Sequence, residues 1–112
     1  MTKQTKDVQT VIDELATKGV EALDAMANFT QEQVDHIVHQ AAIAALDKHM
    51  YLAKLAVDET GRGIYEDKAI KNMYASEYIW NNIKHDKTVG IINEDKQKGI
   101  IEIAEPVGVV CG

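Results

Sequence analysis

The stretch "TVGIINEDKQKGIIEIAEPVGVVCG", Thr88 to Gly112, decides how the whole sequence is read. Two runs of β-branched residues, "TVGIINE" and "IIEIAE", flank the turn-like "DKQKG", and a β-hairpin follows from that pattern. Pro106 then cannot donate to a ladder, so Val107 to Cys111 is set off from the hairpin as a third strand. That last run, "VGVVC", is apolar on both faces, as in a buried parallel sheet, whereas a half-exposed antiparallel strand would alternate. A strand of this kind needs neighbours and covering helices. Residues 1–112 offer too few of either, so the sequence predicts an incomplete α/β unit, or one that borrows a partner's sheet edge.

Upstream of Thr88 the apolar spacing changes to a helical period. Val8, Val11, Ile12, Leu15, Ala22, Leu23 and Met26 recur at i, i+3, i+4 and i+7, predicting one long amphipathic helix over about 7–27, with Gly19 as a weak point on its stripe. Thr30 with Gln33 forms a capping-box signal, and Phe29 stands at the staple position, so a second helix should start near Gln31. Its inward stripe is Val34, Ile37, Val38, Ala41, Ala45 and Leu46, with His36, His39, Gln40 and Asp47 on the opposite face. A third helix, about 51–60, ends at "TGRG", where Gly61 suits a left-handed C-terminal position. A fourth helix runs from about Glu66 to Ile83, with Glu66 and Asp67 complementing the macrodipole at its start. Residues 1–86 are therefore a helical region, 87–105 a hairpin and 106–112 a strand.

Size and charge bound the function. The 112 residues make one domain at most, and 46% hydrophobic content suffices for a core. Net charge is −6 and the acids are spread along the chain, which argues against nucleic acid, since phosphate backbones require a basic face. No signal-peptide pattern opens the chain, and the longest apolar run, "AAIAAL" at 41–46, is far short of the roughly 20 residues that span a bilayer. A cytoplasmic protein without membrane contact is expected. The single cysteine excludes an intrachain disulfide and a multi-cysteine metal site.

Few residues invite a chemical role. Cys111 lies among valines, where burial would raise its pKa, so it reads as an inert strand residue rather than a nucleophile. His36 and His39 sit at i and i+3, but a third ligand would have to come from His49 or a carboxylate without recognisable spacing, so they read as a solvated face. His85 reads as a loop residue. The "GRG" at 61–63 follows a helix and lacks a following "GK[ST]", so it is a helix stop and hinge, with Glu59, Glu66 and Asp67 as cap and dipole partners. Trp80, Tyr74 and Tyr78 occur at packing spacing. No residue is assigned to catalysis or to a metal.

Five segments, taken together and in order, carry a resemblance: "FTQEQVDHIVHQAA", "LAKLAVDETGRGIYEDKAIKN", "ASEYIW", "KTVGII" and "GIIEIAEPVGVVCG". They resemble the N-terminal end of the aldehyde dehydrogenase half of bifunctional aldehyde-alcohol dehydrogenases, closely over Phe29 to Gly112 and loosely over the first helix. The resemblance implies a CoA-acylating aldehyde dehydrogenase that interconverts acetyl-CoA and acetaldehyde with NADH, fused to an iron-dependent alcohol dehydrogenase that carries acetaldehyde to ethanol. It further implies that the hairpin belongs to an oligomerisation sheet, pairing with a second copy or with a full-length family enzyme. The run from Pro106 to Gly112 would be the first strand of the dinucleotide-binding sheet, and the NAD loop would begin just past Cys111 and Gly112, making those two the residues nearest the cofactor. The family's catalytic cysteine does not match Cys111. Residues 1–112 are accordingly expected to be inactive alone and to bind neither NAD nor iron. The alternatives are a non-catalytic module docking on the full-length enzyme, or the remnant of a disrupted gene.

Overall fold

The computed structural model describes residues 7–112. In chain order the elements are α1 (Val8–Met26), α2 (Gln31–Asp47), α3 (His49–Thr60), α4 (Tyr65–Met73), a π-helical turn (Tyr74–Tyr78), α5 (Ile79–Ile83), β1 (Gly90–Asp95) and β2 (Ile100–Ala104). They fall into two compact units. One comprises α1 with Thr88–Gly112; the other is Gln31–Lys87.

The second unit is all helical. Helix α2 begins at Gln31, directly after Thr30, as its capping signal predicts. Helix α3 starts at His49, two residues earlier than the periodicity suggests, because the chain bends only over Lys48. The His49 ring nitrogen Nδ1 donates to the Leu46 carbonyl at 2.5 Å across that bend. Gly61 closes α3 with φ +63°, and its N–H donates to the Val57 carbonyl at 2.8 Å, a conformation that costs residues with a Cβ. Glu66 and Asp67 do lie in the first turn of α4.

The predicted fourth helix is one continuous rod, α4 to α5, but it carries the π turn that periodicity did not reveal. Helical backbone angles are kept on both sides of it. At the turn, Ser76 is only 6% exposed, and its Oγ donates to the Asn72 carbonyl at 2.7 Å. A small side chain bonded to its own backbone leaves room for the wider coil. Asn72 Nδ2 in turn donates to the His49 carbonyl at 3.1 Å, tying the rod to the α2–α3 bend.

In the other unit, β1 and β2 form the predicted antiparallel hairpin, pairing Gly90 with Ala104, Ile91 with Ile103, Asn93 with Glu102, Glu94 with Ile101 and Asp95 with Ile100. The register slips by one residue between Ile91 and Asn93, a bulge. Asp95 Oδ1 accepts from the backbone N–H groups of Gln97 and Lys98, which organises the turn.

The third strand does not form. Residues 105–112 join no ladder, and Gly108 has φ +107°, outside the extended region a regular strand keeps. A strand exists only through a paired neighbour, and the described residues present none to Val107–Cys111. This segment meets α1 instead. A Cβ built on Gly19 would stand 2.8 Å from Val109 Cγ1, so Gly19 is the place where valine seats on the helix rather than a weak point.

Apolar residues are plentiful and rarely covered. Among the described residues only Ala53 and Ser76 are buried, and the inward stripe expected of α2 is half open, with Ile37 and Val38 both exposed. The pattern located the right faces, but in residues 7–112 those faces lack a full covering layer.

Candidate functional site

Two places deserve a chemical test: the segment ending in Cys111 and Gly112, and a groove on the helical unit. The segment lies beyond β2, outside any ladder, and Cys111 is exposed, which corrects the expectation of a buried strand cysteine. Burial was inferred from a packed sheet, and that sheet is not assembled by the described residues. Among the described residues no titratable neighbour is drawn to the thiol by an ion pair or hydrogen bond, the kind of contact that favours a thiolate.

A dinucleotide requires backbone N–H groups for its pyrophosphate, offered by a helix N-terminus or a glycine-rich turn, and an acid for its ribose. Cys111 and Gly112 supply no helix start, and no Cβ position at Gly112 is pressed by a neighbour as it would be in a tight cradle. No group of three or more His, Cys, Asp or Glu residues among the described residues is placed to hold a metal ion.

The histidines are dispersed in role. His39 is not part of a solvated face; it stacks on Trp80, ring centroids 4.1 Å apart and planes 10° from parallel, while Lys84 Nζ stands 5.1 Å from the indole centroid. A flat imidazole on a flat indole clasps α2 to α5. His39 and His36 therefore do not converge, and His49 is committed to the α2–α3 bend. Tyr74 and Tyr78 stack on one another at 5.7 Å across the π turn. The "GRG" loop is the predicted helix stop; Arg62 donates its backbone N–H to Thr60 Oγ1 at 3.1 Å.

Among the described residues the one group with a shifted pKa lies on an exposed surface. Lys54 donates to Asp58 Oδ2 at 2.5 Å, and this hydrogen bond, reinforced by the carboxylate charge, raises the lysine above its ordinary value. It is an i,i+4 surface pair of α3, remote in kind from catalysis.

The groove is the feature that sequence reasoning missed. About 490 Å³ in volume, it runs between α2, α3 and the long rod. Ala41, Ala45, Ala56, Leu52, Ile79 and Trp80 line it, together with Lys68 and Lys71. The signal was present in the alanine spacing of "AAIAAL", which lets backbones approach closely, but small residues read equally well as helix formers. An apolar trough of this kind accepts side chains; it contains no acid, base and nucleophile in register.

The comparisons fit this division between framework and chemistry. No family profile matches the chain. Aldehyde-alcohol dehydrogenase 2 of Entamoeba histolytica is 54% identical over 113 aligned residues, which cover 99% of this chain and 13% of that protein. The chain matches the N-terminal region of the bifunctional aldehyde-alcohol dehydrogenases. The bifunctional aldehyde-alcohol dehydrogenase AdhE of Escherichia coli strain K12 is 58% identical over 86 residues, covering 77% of this chain and 10% of its own length. The chain thus spans between a tenth and an eighth of these two curated relatives. An acetylating aldehyde dehydrogenase from Geobacillus thermoglucosidasius superposes with a TM-score of 0.80 at 37% identity, over 92% of this chain and 24% of that one. The helical layer and hairpin are therefore those of an aldehyde dehydrogenase, the α/β class expected from the sequence.

Proposed function

We propose that residues 1–112 serve as the N-terminal framework of a CoA-acylating acetaldehyde dehydrogenase, one half of an enzyme that takes acetyl-CoA to acetaldehyde and then ethanol with NADH. The observation that carries this reading is the match of 54% identity running through 99% of the chain. The similar acetylating enzyme of known structure supports it. In this reading the cysteine nucleophile, the NAD contacts and the iron of the alcohol dehydrogenase half are supplied by residues other than 1–112. The part played here is mechanical.

The hairpin is suited to assembly. Ile91, Ile101 and Ile103 share one face by register, all are exposed, and among the described residues each strand has one edge without a strand partner. We place the contact with a second copy, or with a full-length family enzyme, on this hairpin, in a cytoplasmic setting. Grafting tests the whole reading. Residues 1–112 replacing the matching segment of the Escherichia coli relative should yield a soluble enzyme that retains acetyl-CoA-dependent NADH oxidation. A soluble graft with no such activity contradicts it.

A further inference from the structure

We infer that the π turn at Tyr74–Tyr78 is a phase-setting device: it winds the α4–α5 rod back by one residue, so that α5 lines the same groove as α4 and its Trp80 meets His39 of α2.

The spacing of the groove lining carries the argument. Lys68, Asn72, Ser76 and Trp80 all line it, a row of the rod that recurs every four residues. In a regular α-helix each residue advances by about 100°, so a row of every fourth residue creeps about 40° around the axis at each step. From Lys68 to Trp80 the creep would reach about 120°, carrying the indole well off the side on which Lys68 stands. One residue absorbed in a wider turn takes back about 100° of it and leaves about 20°. The structure places that correction inside the row. The Ile79 N–H donates to the Tyr74 carbonyl, a π-type bond, whereas the Lys84 N–H further on donates to the Trp80 carbonyl in the ordinary α pattern.

Ser76 holds the wide turn from within. It is 6% exposed, and its Oγ lies 2.7 Å from the Asn72 carbonyl oxygen and 3.2 Å from that of Met73. Both flanks of the turn are anchored. Upstream, Asn72 Nδ2 donates to the His49 carbonyl at 3.1 Å; downstream, the Trp80 indole lies flat on His39, centroids 4.1 Å apart. The stack therefore depends on the number of residues between the two anchors and on the turn that absorbs the excess one.

Changing that number is the test, in the full 112-residue chain with its one tryptophan. Deletion of Glu77, an exposed residue of the turn, removes the excess residue and should leave a plain α-helix with Trp80 still on His39. Circular dichroism and the Trp80 emission maximum should match the parent, and His39→Ala should shift that emission as it does in the parent. Insertion of one alanine after Glu77 instead adds about 100° of rotation, and the response of Trp80 to His39→Ala should be lost. A parent chain whose emission ignores His39→Ala, a deletion variant that unfolds or no longer responds, or an insertion variant that responds like the parent each overturns the inference.

Discussion

At Gly19 a single missing Cβ has two opposed consequences. Glycine inside a helix costs roughly 1 kcal/mol relative to alanine. Here that cost is accepted where a Cβ would press to 2.8 Å from Val109 Cγ1, and valine is too stiff to turn aside cheaply. Gly19→Ala should therefore destabilise the chain or release residues 107–110, detected as faster amide exchange there. In a Val109→Ala background the same change should stabilise by about 1 kcal/mol, the sign reversal expected of two residues in contact. His39 gives a second test at this scale. Removing its ring with His39→Ala should cost about 0.5–1.5 kcal/mol in chemical denaturation and change the emission of Trp80, the one tryptophan of the sequence. Neither contact was legible in the sequence. Periodicity assigns a residue to a face of its own helix, and both contacts depend on which other element reaches that face.

Elements were far more legible than contacts. The capping signal at Thr30, the glycine stop at Gly61 and the switch to period two after Lys87 each mark a real boundary, because each is a local rule satisfied within a few residues. The π turn escaped because Ser76 bonding to Asn72 looks in sequence like any serine on a helix. The strand at 107–111 failed for the opposite reason: its composition is right, but strands are completed by neighbours. Helix α3 supplies a pH test at this scale. Lys54 titrates above its ordinary range because Asp58 accepts its hydrogen bond and holds a negative charge beside it. The raised folded value means the pair contributes below the lysine's unfolded pKa, and the contribution is lost as pH rises through the folded value. Titration of Lys54 by NMR should show the upward displacement, and Asp58→Asn should remove it. High salt should shrink it as well, since the pair is exposed.

At the scale of the whole molecule, the striped helices and isoleucine-rich hairpin lead to an α/β dehydrogenase fold, while the sequence pointed to Cys111 and Gly112 only through the resemblance. Cys111 and Gly112 lie where the resemblance puts the approach to NAD, and Cys111 is exposed. The groove of Ala41, Ala45 and Trp80 went unread because three helices must come together before it exists. The framework proposed above accounts for the apolar faces that stand exposed among the described residues. That claim has a direct measurement: purified residues 1–112 mixed with NADH and acetyl-CoA, followed at the absorbance of NADH. The account predicts no oxidation above the enzyme-free rate at any chain concentration. Oxidation that scales with the chain, and survives further purification, would contradict it.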